Sequence, residues 1–98
     1  MESEARVEHD PVGQKFTVSE GKHDSVLAYT EVNDVWDIFE LSVGQETNEK
    51  GVAERLALAA FEYAKQNSIK IIPSHPYLRV TFLKNHPEYM EITTDSFY

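Results

Sequence analysis

Cysteine is absent from this chain. That absence removes a disulfide framework, a thiolate metal site and a cysteine nucleophile together. Basic residues are scarce too, nine Lys and Arg against 17 Asp and Glu, for a formal net charge of −8. A nucleic-acid binder needs clustered cations for the phosphates, and an anionic membrane surface needs the same, so neither is expected as a partner. No apolar run approaches the roughly 20 residues of a membrane span. Nor does the N-terminus carry the basic start and apolar core of a secretion signal. A cytoplasmic or nucleocytoplasmic location is the default expectation.

What remains is an ordinary soluble composition, 41% hydrophobic and 27% charged, in 98 residues. One domain with one modest core follows from that length. Part of the acidic excess falls at Glu2, Glu4, Glu8 and Asp10. Residues 1–12 show no periodicity and read as a disordered acidic tail. The domain proper is expected over 13–90, with 91–98 as a C-terminal tail anchored by Ile92 and Phe97.

Within the domain the hydrophobic period changes along the chain. Lys15 to Ser19 alternates, with Phe16 and Val18 on one face, and predicts a strand. Gly21 lies in a turn, and Ser25 to Val32 forms a second strand rich in Val, Leu and Tyr. Asn33-Asp34 then predicts a tight hairpin into Val35 to Leu41. That third strand has large apolar groups on both faces, Trp36 among them, and is expected to be covered on both sides. After the loop that begins at Val43, the period becomes helical from about Glu49 to Gln66, with Thr47 or Asn48 as the N-cap. Val52, Leu56, Ala59, Ala60, Tyr63 and Ala64 form its inner face. Ile69 to Ile72 is a short strand, stopped by Pro73 and placed parallel to the third by the intervening helix. Ser74 or His75 caps a second helix with Pro76 at its first position, running to about Asn85. Pro87 ends it by disfavouring helix at His86. The expected architecture is α/β in the α+β sense: a three-stranded antiparallel meander, a long helix, a parallel strand and a C-terminal helix.

Three segments carry a resemblance: Gly51-Val52-Ala53-Glu54-Arg55-Leu56 with Ala59-Ala60-Phe61-Glu62-Tyr63-Ala64, then Ile71-Ile72-Pro73-Ser74-His75-Pro76-Tyr77, then Thr81-Phe82-Leu83-Lys84-Asn85 with Pro87. Their order and spacing resemble the small single-domain GCN5-related (GNAT-like) N-acetyltransferases, plant-type minimal members in particular. The resemblance implies acetyl-CoA as co-substrate and an amine, on a protein or a small molecule, as acceptor. It places the CoA pyrophosphate at the turn opening the long helix, where free N–H groups and the helix dipole favour an anion. The family's Arg-Gly-x-Gly-x-Ala stands here as Asn48-Glu49-Lys50-Gly51-Val52-Ala53, with Gly51 and Ala53 matching. Val43, Asn48, Lys50, Gly51, Val52, Ala53, Pro73 and Tyr77 are the implied cofactor-binding residues, with Tyr77 beside the pantetheine channel. Where the family has a Cys in the strand-to-helix turn this chain has His75, and where it has a His on the third strand this chain has Glu40. A covalent route through Cys is excluded.

Direct transfer to an amine needs a base and a donor for the developing oxyanion. Glu40 is a candidate base, and His75 a candidate base or donor. A solvated strand Glu and a helix-capping His are the structural alternatives. His9 and His23 fit no metal-ligand spacing, so no metal is expected. His86 and Trp36 read as structural. The expected function is an acetyl-CoA-binding, N-acetyltransferase-like monomer. A degenerate relative acting as a CoA-binding or protein-interaction module is the alternative, and an unrelated structural α/β domain the third reading.

Overall fold

The computed structural model describes residues 7–20, 23–43 and 51–97. Five strands form one mixed sheet in chain order: β1 (Val7–Asp10), β2 (Lys15–Glu20), β3 (His23–Val32), β4 (Val35–Ser42) and β5 (Lys70–Ile72). The first four are antiparallel neighbours, and β5 pairs parallel to β4. Helix α1 (Val52–Gln66) links β4 to β5 across one face of the sheet. A π-helical segment (Tyr77–Phe82) runs into one α-helical turn, α2 (Leu83–Asn85), and a 3-10 segment (Pro87–Ile92) follows.

The β3–β4 hairpin forms as the sequence predicts. Asn33 and Asp34 both take the left-handed conformation, φ 56° and 60°, which a two-residue turn between right-twisted strands demands. Alternation then sends Phe16, Val18, Leu27, Tyr29, Trp36 and Ile38 into the core under α1. From the helix come Val52, Leu56, Ala57, Ala60, Phe61 and Ala64, all buried. The alanines let α1 sit close to the sheet, and Phe61 fills the space toward Phe82, with ring centroids 4.9 Å apart.

Four expectations need correction. Residues 7–10 are not a tail: they form β1, and the meander has four strands. The reason is His9, whose ring stacks on Phe16 at 4.1 Å and places Nε2 2.7 Å from the Tyr29 hydroxyl. Tyr29 stacks on Trp36 at 3.9 Å, and Tyr63 of α1 meets both Trp36 and His9. A polar-looking strand is thus held by its ladder to β2, by Val7 against the core and by the His9 ring.

The third strand, β4, is not covered on both faces, since Phe39 is 51% exposed. Ala28 pairs with Glu40 and Tyr29 with Ile38, so Phe39 is an extra residue in a bulge. The C-terminal helix is not regular: the Leu83 amide donates to the Leu78 carbonyl, a π-type bond. And residues beyond 90 are docked, with Thr93 bridging Ile71 in parallel and the Thr94 amide donating to the Ile71 carbonyl at 2.9 Å. Helix α1 itself starts at Val52 with Gly51 as its N-cap, so the expected caps Thr47 and Asn48 lie outside the described residues.

The last elements are pinned to α1 by polar contacts. His86 Nε2 lies 2.7 Å from Glu54 Oε2, and the Tyr89 hydroxyl donates to Glu62 at 2.5 Å. Burial, followed by that bond and the Glu62 charge, pushes the Tyr89 phenol up to about 12. Burial likewise pushes Tyr29 up to about 12.

Burial lowers the pKa of His9, with Asp10 and Glu31 opposing it more weakly. The folded chain therefore binds a proton at this ring less readily than the unfolded chain does. Its contribution is constant above the unfolded value near 6.5 and declines as pH falls through that value toward the folded one. Melting temperatures at pH 7.5 and 5.0 should thus drop further in the wild type than in His9→Phe, which keeps the stack on Phe16 without the titrating ring.

Candidate functional site

The bulge and the short parallel pairing create an opening. Strands β4 and β5 pair only from Val35 to Asp37 and from Lys70 to Ile72. Beyond that, β4 continues to Ser42 while Pro73 turns the other chain away. The His75 amide still donates to the Ile38 carbonyl at 3.2 Å, which fixes the width at the point of divergence. Past it lies a cleft of about 310 Å³ lined by Leu41, Val43, Ala53, His75 and Tyr77. Leu41 pairs with the buried Leu27 and shares a face with Val43, so this wall belongs to the side of the sheet that α1 covers.

At the end of this cleft stands the start of α1. Gly51 has φ 74°, and a Cβ there would meet nothing within 4 Å. The Gly51 carbonyl accepts the first helical bond, from the Arg55 amide at 3.1 Å. Among the described residues no side chain caps this end. The amides of Val52, Ala53 and Glu54 precede that first bond and have no intrahelical acceptor, which is the ordinary anion-binding condition of a helix N-terminus. The first-turn acid, Glu54, is engaged by His86.

His75 is both cap and cleft wall. Its Nδ1 accepts the Tyr77 amide at 3.1 Å. A nitrogen that accepts cannot carry the proton, so the neutral ring is protonated at Nε2 and offers a donor. The sequence left base and donor open, and this bond favours the donor. Tyr77, in the same wall, has its phenol pushed up, by burial first and the Glu54 charge second, and so stays protonated near neutral pH.

The structure thus gathers Val43, Gly51, Val52, Ala53, His75 and Tyr77 around one end of the split. Glu40 is not among them. It is exposed, on the opposite face of β4 from Leu41. Pro73 lies on the other side of the turn, lining a second cleft with Ile72, Ser74, Arg79 and Thr94. Asn48 and Lys50 lie outside the described residues. Leu41 enters the sequence reading as the end of the third strand and not as a site residue; its only signal for the site is alternation across a bulge that the sequence does not announce. Among the described residues no cluster of His, Asp or Glu could hold a metal. No described helix is long and apolar enough to cross a membrane.

The mixed sheet splits beside the start of α1, and comparison with known proteins gives this fold its family. The family model for GCN5-related N-acetyl-transferases matches residues 15–92. The chain belongs to that family. A GCN5-like protein from Staphylococcus aureus, solved by NMR, superposes with a TM-score of 0.70 at 22% identity, over 93% of this chain and 89% of that one. This likeness places the fold.

Gly51 needs a left-handed backbone but has open space around it, so a side chain there costs conformation alone. Gly51→Ala should destabilise the protein by about 1 kcal/mol in urea unfolding, and Gly51→Asn by less.

Proposed function

We propose that the protein is an acetyl-CoA-dependent N-acetyltransferase that acts by direct transfer to an amine. The observation that carries this reading is the cleft past the split between β4 and β5, whose wall includes Ala53 in the first turn of α1. The residues fit such a co-substrate. Amides of Val52, Ala53 and Glu54 would hold the diphosphate, and Leu41, Val43, Ala53 and Tyr77 would flank the pantetheine arm. Acetyl-CoA supplies an acetyl group activated as a thioester, which an amine converts to an amide with release of the thiol.

The chain's own residues then have distinct tasks. His75, fixed by the Tyr77 amide, offers its Nε2 proton to oxygen charge developing at the acetyl carbonyl. Tyr77 keeps its phenolic proton and is the second donor in the cleft wall. Glu40, exposed on the far face, stands on the side open to an approaching amine rather than in the cleft. The amine therefore loses its proton to solvent on that open side.

The decisive measurement is amide NMR during acetyl-CoA titration. Shifts at Val43, Gly51, Val52 and Ala53 are expected, and silence at millimolar ligand would sink the reading. In acetylation assays His75→Ala should lower kcat by about a hundredfold, the scale of losing one oxyanion donor. Glu40→Gln should stay within about threefold of wild type, as an exposed group outside the cleft.

A further inference from the structure

The second cleft is the larger, about 660 Å³, and lies across the Pro73–His75 turn from the first. We propose that it is the acceptor subsite, and that it takes an amine also bearing a carboxylate, such as a free amino acid. Calling its ligand the acceptor rests on the acetyl-transfer reading; the binding chemistry does not.

That chemistry follows from what each lining group already does. Arg79 Nη1 donates to the carbonyls of Pro73 and Ser74 at 3.2 and 2.6 Å. These bonds hold the guanidinium against the cleft wall and leave its Nη2 and Nε donors without a partner among the described residues. No carboxylate among the described residues pairs with it. A fixed, always-charged fork without an anion suits a carboxylate, which it can hold through two parallel bonds.

The hydroxyls in the same cleft are committed the other way. Ser74 Oγ donates to Asp37 at 2.5 Å, Thr93 Oγ1 to the Met90 carbonyl at 2.8 Å and Thr94 Oγ1 to the Ser96 carbonyl at 3.4 Å. With their protons used, all three present lone pairs. Asp95 adds a carboxylate with no partner among the described residues. The cleft thus holds a fixed positive donor group together with hydroxyl acceptors and a carboxylate, and among the described residues the two charged groups do not pair with each other. A lone anion or a lone ammonium satisfies half of that set, and a zwitterion satisfies both.

The test uses the full chain without acetyl-CoA, so that it stands apart from co-substrate binding. L-alanine, ethylamine and propionate are titrated separately while the amides of Ser74, Arg79, Thr94 and Asp95 are followed by NMR. L-alanine should bind about fivefold more tightly than either singly charged probe, the scale of one solvent-exposed charge pair. Arg79→Gln should reduce L-alanine to the affinity of ethylamine. Asp95→Asn, which removes no side-chain bond among the described residues, should reduce it to that of propionate. Equal affinities for the three probes, no preference lost in Asp95→Asn, or no shifts at about 50 mM ligand would overturn the proposal. L-alanine binding in a protein that ignores acetyl-CoA would leave the subsite standing and remove the transfer reading instead.

Discussion

Two neighbouring chains that part company after three residues organise this molecule. Parallel pairing of β4 with β5 stops at Asp37 and Ile72. Each side has its own reason to leave. On β4 the extra residue Phe39 bends the strand, and on the other side Pro73 cannot donate to a ladder. Two hydrogen bonds, from the His75 amide to the Ile38 carbonyl and from Ser74 Oγ to Asp37, hold the two at the fork. Everything of chemical interest then hangs from that turn. His75 and Tyr77 face one cleft, and Pro73 and Ser74 face the other.

The fork survives because the surrounding scaffold is tied from several directions. Helix α1 covers the sheet with a stripe of alanines and one large ring, Phe61. The irregular segment after His75 would be a weak element by itself, with a π-type turn and a proline at each end. It is held through Phe82 and Tyr89 against Phe61, through His86 on Glu54, and through Tyr89 on Glu62. These contacts place the fork's far wall relative to the start of α1. Glu54, the acid in the first turn of α1, is occupied by the same set.

Most of this fold was legible from periodicity. The switch from period 2 to 3.6 near Glu49 marked α1, Asn33-Asp34 marked the hairpin, and Pro73 marked the end of β5. The chain escaped prediction where one side chain overrides local composition. Val7-Glu8-His9-Asp10 looks like a solvated tail, yet His9 buries a face against four aromatic rings that are distant in sequence. The bulge at Phe39 escaped for a related reason: a bulge is a property of the pairing, and Phe39 reads as a regular strand residue. Position relative to Pro73 brings His75 and Tyr77 forward, and both line the first cleft. Which nitrogen of His75 carries the proton is not legible in the sequence, because the tautomer depends on an amide two residues on. Glu40 sits on the far face, and nothing in its neighbours' composition tells which way a strand points after a bulge.

The aromatic stack on the sheet has an optical consequence. Trp36 is the chain's single indole, and it lies face to face with Tyr29 and with Tyr63, whose interplanar angles to it are 17° and 14°. Those neighbours come from β3 and α1, and His9 of β1 meets the same indole edge-on. Fluorescence and near-ultraviolet dichroism from one chromophore therefore record, without any label, whether the edge strand, the sheet and the long helix are docked on one another.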